Sequence, residues 1–242
     1  MWLPVTLSGG SLEPAGDGRT RQMIIHDITR LTVLLAAKKD EIKKKMMKRI
    51  ILASQSPRRK ELLEQVGLKF EILPAGGEER ITTKDPALAV RELAAQKAAK
   101  VLGRAKGDCL IIGADTVVAL DGQILGKPAD EEDAARMLRL LQGRSHSVYT
   151  GVALLHREGD CVTEAVFSEE TRVAFYPMTE EEIRGYIKSK EPMDKAGAYG
   201  IQGLAAAFVE KISGDYNNVV GLPVGRIWQE LKKRGWFCDQ TL

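Results

Sequence analysis

The stretch "CLIIGA" at 109–114 sets the strongest limit on the fold. An apolar run of that length without alternation predicts a strand covered on both faces, and such a strand needs helices above and below its sheet. The flanking segments can supply them. "RIILA" (49–53) reads as a second buried strand, after which Ser56 can cap a helix, Pro57 can start it and Gly67 can close it. "KFEIL" (69–73) alternates as a strand does. Asp85-Pro86 opens a long helix to about Val101, with Leu88, Leu93, Ala94, Ala98 and Val101 on or near one face. Asp121-Gly122 within "TVVALDGQIL" supplies the positive φ angles of a tight hairpin. Asp130 caps a further helix that Gly143 ends, with Glu131 and Glu132 suited to its first turn. "SVYTGVALL" and "VTEAVFSEETRVAFY" predict long neighbouring strands. Thr179 and Glu182 fit a capping box for a helix to Lys188, and a last helix begins at Pro223. The sum is an α/β domain, a mixed β-sheet flanked by helices.

The domain reads as residues 46–242. Residues 1–45 read as a loosely held extension: 1–22 are rich in Gly, Ser, Pro and Thr, a helix could start at Asp27, and Met46 and Met47 directly precede the first convincing strand. A net charge of +3 gives no bulk attraction to nucleic acid, and 5% aromatics, not clustered with the basic residues, leave an RNA-binding reading without stacking platforms. No apolar run approaches the roughly 18 residues that span a membrane. The cysteines Cys109, Cys161 and Cys238 are odd in number and unspaced, and with His26, His146 and His156 they show no zinc-ligand pattern. A soluble, cytoplasmic chain is expected, with no nucleic-acid or membrane partner; a homodimer is left open.

The candidate chemistry lies at strand ends. Ser54, Ser56, Arg58 and Arg59 gather at a helix start, where free N–H groups and two planar guanidinium groups favour an anion, although a plain cap and a solvated first turn would look the same. In "AGGEERI", Glu78 and Glu79 are either a solvated loop or hard-cation ligands, since Mg²⁺ accepts one or two carboxylates plus substrate phosphate. Asp115 follows the apolar strand directly and either caps a turn or serves a site. Lys127 stands between Gly126 and Pro128. Lys97, in an alanine-rich part of its helix, suits the wet face. The glycine-rich "DKAGAYGIQG" (194–203) and "ISGDYNNVVGLP" (212–223), with Gln202, Asp215, Asn217 and Asn218, read as a shaped binding wall. Neither glycine-loop nucleotide motif occurs at a strand-to-helix junction.

In order along the chain, "LASQSPRR", "GADTVV", "GKP", "KAGAYGIQG" and "GDYNNVVGLP" resemble the Maf family, septum-formation-inhibitor-like nucleoside triphosphate pyrophosphatases with a fold related to that of inosine triphosphatases. The resemblance covers about Met46 to Trp236. It implies a substrate cleft and metal-dependent hydrolysis between the α and β phosphates, releasing monophosphate and pyrophosphate, with Mg²⁺ or Mn²⁺ as cofactor. It implies Asp115 as proton acceptor, Lys97, Lys127, Arg58 and Arg59 around the phosphates, Ser54 among the substrate-binding residues, and Glu79 with Asp115 at the metal. Many relatives carry "D-x-D-E" where this chain has "GGEE", so Glu78 stays an alternative to Glu79. The set Arg58, Thr116, Gln202 resembles the subgroup acting on dTTP and UTP, and a neutral amide can pair with the donor and acceptor edge of uracil or thymine. Pseudo-UTP or 5-methyl-UTP would fit too. The alternative is a nucleotide-binding regulator of cell division or septum formation with little turnover.

Overall fold

The computed structural model describes residues 49–236; the expectations for 1–45, Met46, Met47, His26 and Cys238 fall outside them. Seven strands form one mixed sheet: β1 (Ile50–Leu52), β2 (Glu71–Ile72), β3 (Cys109–Leu120), β4 (Gln123–Leu125), β5 (Ser145–Glu158), β6 (Cys161–Phe175) and β7 (Val209–Ser213). Their order is β2-β1-β3-β5-β6-β7, with β4 paired to β3. β1 is parallel to β2 and β3, while the pairs β3–β5, β5–β6 and β6–β7 are antiparallel. Among the described residues six α-helices accompany it: α1 (Pro57–Gln65), α2 (Pro86–Leu102), α3 (Glu131–Leu141), α4 (Glu180–Lys188), α5 (Tyr216–Val220) and α6 (Val224–Lys233).

Local chemistry explains most boundaries. The Asp85 carboxylate accepts from the Leu88 N–H, Asp130 from Asp133, and Thr179 and Glu182 form the full capping box. Gly67, at φ +72°, closes α1 with its N–H on the Glu64 carbonyl and the Leu68 N–H on that of Leu63. Asp121 and Gly122 take φ +50° and +76° in the β3–β4 hairpin, the angles of a primed turn.

Four expectations are corrected. Ser56 holds the cap position of α1, but its hydroxyl makes no cap bond; its N–H donates to Ser54 Oγ instead (3.2 Å). "KFEIL" contributes only Glu71–Ile72, both exposed, because β1 is short and offers it a short ladder. Leu88 is exposed while Leu93, Ala94, Ala98 and Val101 are buried, since α2 turns its first-turn leucine away from the sheet. Asp115 stands in the middle of β3, not after its end.

That last difference creates the cleft. β5 pairs β3 from Cys109 to Ala119 on one side. On the other, β1 reaches only Ile112 and β4 begins only at Val118. Residues 113–117 therefore lie in a gap between two strands that share the same edge of β3.

Side chains alternate across β3. Cys109 and Ile111 pack into the core under α2, while Leu110, Ile112, Ala114 and Val118 join the larger core on the opposite face. Gly113, Asp115 and Gly151, the register partner of Asp115, thus face α2. There the helix approaches so closely that a Cβ on Gly113 would lie 2.4 Å from the Ala94 carbonyl oxygen, and one on Gly151 2.1 Å from that of Val90. Neither obstacle is a flexible side chain. Gly151→Ala is expected to cost about 3 kcal/mol by forcing helix and sheet apart; a urea-denaturation midpoint equal to that of the unchanged protein would refute the tight contact.

On the other face, His146 is buried edge-on to Phe175 and Tyr199, its Nε2 sharing a hydrogen bond with the Tyr199 hydroxyl (2.8 Å) and its Nδ1 without a partner among the described residues. Burial lowers its pKa from 6.5 to about 4. Between those values the unfolded chain binds a proton that the folded one refuses. The corresponding stability is complete above about pH 6.5 and falls by about 3 kcal/mol as the pH drops to 4. Urea titrations at stepped pH should show that loss in the unchanged protein and not in His146→Gln; equal slopes would refute it.

Candidate active site

The gap over 113–117 opens into a cleft of about 750 Å³, and Ser54, Arg58, Arg59, Lys97, Asp115, Thr116, Lys127 and Gln202 all line it. Five elements or junctions from both halves of the chain thus bring the expected residues together.

On the α2 side, Lys97 reaches down from the helix. Its ammonium binds the Asp115 carboxylate and also meets Glu79 at 3.2 Å. Lys97 is therefore not on the wet face: its side chain is 14% exposed, because the two glycines beneath α2 bring the helix within its reach of Asp115. Glu79 arrives on an irregular loop that a ridge of polar residues laces to α2. Glu92 accepts from Thr82, Gln96 exchanges hydrogen bonds with the Arg80 backbone, Lys100 binds the carbonyls of Gly76 and Glu78, and Arg104 binds those of Pro74 and Ala75. Glu92, Gln96 and Lys100 stand at four-residue steps in one row along the helix, and Arg104 follows just past its end. Of the adjacent carboxylates, Glu79 turns to Lys97, whereas Glu78 meets α2 through its backbone carbonyl.

The opposite side is built on Arg59. Its guanidinium is buried and donates to Gly221 O (2.9 Å), Ser54 Oγ (3.2 Å) and Thr116 Oγ1 (3.1 Å). All three acceptors are neutral. Burial pulls its pKa below the usual arginine range, Asp115 and Glu79 pull it back through space, and Arg58 adds to the lowering. A buried charge usually has an opposite charge in contact; among the described residues none is hydrogen-bonded to this one.

The surrounding hydroxyls are oriented by their partners. Thr150 Oγ1 donates to the Asn218 carbonyl (2.9 Å), so the 2.9 Å contact between the two threonines uses the Thr116 proton, leaving a Thr116 lone pair for Arg59. Ser54 Oγ accepts from both Ser56 N–H and Arg59. Its own proton has no acceptor among the described residues and is available to an anion.

Arg58 crosses the cleft to Asp194 (3.2 Å), which also binds Lys195 (2.7 Å). Lys127 and Gln202 are exposed cleft residues. The two glycine-rich segments supply the far wall, as expected, but not through their asparagines. Asn218 is fully buried and donates to Val148 O and Thr171 Oγ1, Asn217 belongs to a helix start capped by Asp215, and neither lines the cleft. Sequence reasoning passed over Glu191, Lys195 and Tyr199, which do. The irregular glycine-rich stretch 194–203, which contains Lys195 and Tyr199 and lies just after Glu191, was the signal available.

Among the described residues no group of three or more His, Cys, Asp or Glu converges as a metal site. Asp115 and Glu79 nevertheless present hard oxygens around one cationic centre, the Lys97 ammonium, a donor type that a hard divalent cation takes. No described helix is long and apolar enough to cross a membrane.

Fold and site together define an α/β protein with a cleft that carries cations on both sides and a carboxylate at its floor. The model of the Maf family, "Maf-like protein", matches residues 49–234, and the chain belongs to that family. It is similar to the dTTP/UTP pyrophosphatase of Agathobacter rectalis, 55% identical over 202 residues covering 78% of this chain and 98% of that one. It is also similar to those of a Geobacillus species (54%; 78% of this chain, 100% of the relative) and Carboxydothermus hydrogenoformans (52%; 78% and 100%). Among solved structures, the Staphylococcus aureus Ham1 protein is 13% identical with a TM-score of 0.41, covering 77% of this chain and 100% of that one.

Proposed function

We propose that the chain is a nucleoside triphosphate pyrophosphatase that hydrolyses dTTP and UTP to the monophosphate and pyrophosphate. The observation that carries this reading is Arg59, a buried cation seated on neutral oxygens beside the Asp115–Lys97–Glu79 cluster. It lacks in direct contact what a phosphate would bring. The similarity to dTTP/UTP pyrophosphatases over nearly their whole length supports the reaction and the substrate pair.

In this reading, Arg58, Arg59, Lys127 and the Ser54 hydroxyl bind phosphate oxygens and offset charge as the α–β anhydride breaks. Asp115 takes the proton of the attacking water, and Lys97 holds that carboxylate in place and neutralises phosphate charge. Asp115 and Glu79 are the residues that would hold a divalent metal; when bound, the ion would offset charge on the phosphate oxygens. Arg58, Thr116 and Gln202 select the base, Gln202 by offering an amide to uracil or thymine. Modified pyrimidines such as pseudo-UTP or 5-methyl-UTP satisfy the same edge. The substrates are free nucleotides, and the proposed compartment is the cytoplasm.

A screen of nucleoside triphosphates with Mg²⁺ and with Mn²⁺, read by pyrophosphate release, tests this. Turnover of dTTP and UTP above the purine triphosphates is expected. Preference for 7-methyl-GTP, or tight nucleotide binding with negligible turnover, would overturn it.

A further inference from the structure

The turn that carries Gln202 is closed by the Gly203 N–H on the Gly200 carbonyl (3.1 Å) and runs into a 3₁₀ helix at Leu204–Phe208, and its two ends are also tied to one pair of side chains. At the first end, the Gly200 N–H donates to the Tyr186 hydroxyl (3.1 Å). That hydroxyl donates in turn to Glu191 Oε1 (2.9 Å). At the other end, the Leu204 N–H donates to Glu191 Oε2 (2.9 Å). The relay has one direction: a tyrosine has a single proton, and Gly200 already occupies an acceptor position on its oxygen, so the proton goes to the carboxylate. Burial, first of all, pushes the Tyr186 pKa up, which keeps that proton on the hydroxyl.

The glycines of the turn are there for the approach of these partners. A Cβ on Gly203 would lie 2.3 Å from both Glu191 carboxylate oxygens, and one on Gly200 would lie 2.5 Å from Lys195 Cε, whose ammonium is fixed on the Glu191 carbonyl (2.6 Å). Glu191 therefore presses on the turn from beneath, touching residues on both sides of Gln202. An ionised carboxylate accepting a backbone N–H and a phenol makes stronger bonds than neutral partners would.

We propose that Tyr186 and Glu191 are positioning residues for nucleobase selection: they fix the 200–204 turn so that the Gln202 amide meets the base in one orientation. The inference rests on the reading of the chain as a dTTP and UTP pyrophosphatase. Selection by an exposed glutamine needs such support, because a mobile amide satisfies several base edges equally well and discriminates among none.

The test compares the unchanged protein, Tyr186→Phe, Glu191→Gln, Gln202→Ala and the Gln202→Ala/Glu191→Gln double variant, measuring pyrophosphate release from dTTP, UTP and GTP. Tyr186→Phe and Glu191→Gln are each expected to raise KM for dTTP and UTP about tenfold, with little change in kcat, and to shrink the preference over GTP by the same factor. With Gln202→Ala present, Glu191→Gln should leave the preference where Gln202→Ala alone puts it, since both act through one side chain. Hydrogen exchange at the Gly200 and Leu204 amides should accelerate in Tyr186→Phe while the strand amides stay protected. An undiminished preference in both single variants, or an equal fall in kcat on all three nucleotides, would overturn the assignment. Should Glu191→Gln fail to fold, Tyr186→Phe, which loses one oxygen, carries the same readouts. Absence of any preference in the unchanged protein would instead sink the reading on which the inference rests.

Discussion

Asp115→Asn is expected to lower the rate of pyrophosphate release from UTP and dTTP by about 10²- to 10⁴-fold, the usual contribution of a positioned general base. The residue sits at the centre of β3, held by register to Gly151 and by the Lys97 ammonium, so the isosteric amide leaves the strand and its packing unchanged. Lys97 does not lose its only counter-charge either, because Glu79 remains within 3.2 Å. Melting temperature and circular dichroism should therefore stay close to those of the unchanged protein while turnover collapses. The assay belongs at saturating Mg²⁺ or Mn²⁺, so that weaker metal retention by an amide is not read as loss of the base. Unchanged turnover in a folded Asp115→Asn variant would sink the proposed mechanism. The variant also separates the two functions considered from the sequence: a regulator that only binds nucleotide would be indifferent to this change.

What could be read from the sequence was mostly what is decided within a few residues. Asp85-Pro86, Asp121-Gly122, Thr179 with Glu182, and Gly67 each act on backbone groups one to five positions away, and the helices and the hairpin begin and end where those residues set them. The position of Asp115 is of another kind. Whether a carboxylate follows a strand or interrupts one depends on how far neighbouring strands extend, and the gap exists because β1 stops at Ile112's partner while β5 continues. Lys97 fails from sequence for a related reason: alanines beside it suggested an ordinary wet helix face, whereas Gly113 and Gly151, distant in sequence, bring the helix down onto the sheet. Asn218 misleads in the opposite sense. An amide in a glycine-rich loop looks available to a ligand, but this one satisfies Val148 O and Thr171 Oγ1 in the core.

Arg59→Lys should remove triphosphate binding more thoroughly than its conservative appearance suggests. The guanidinium is a planar fork whose N–H groups reach Gly221 O, Ser54 Oγ and Thr116 Oγ1 in three directions, and an ammonium on a longer flexible stem cannot reproduce that seat. Two losses follow. The charge moves away from the anion position, and Ser54, released by Arg59, no longer has its remaining proton directed by fixed neighbours. Together they are expected to lower kcat/KM for UTP by about 10²- to 10³-fold, the range of losing a charged, preorganised donor set. Lost anchoring of the Gly221 carbonyl adds about 1–3 kcal/mol of destabilisation from unpaired buried acceptors. Because that structural cost could mimic a binding defect, the decisive measurement is a ratio: affinity for pyrophosphate or a non-hydrolysable UTP analogue against affinity for UMP, in the folded variant. If Arg59 is the triphosphate cation, the first falls at least tenfold more than the second. Equal losses for both ligands would make Arg59 a structural strut between α1 and the loop at Gly221, and would return the search for the triphosphate cation to Arg58 and Lys127.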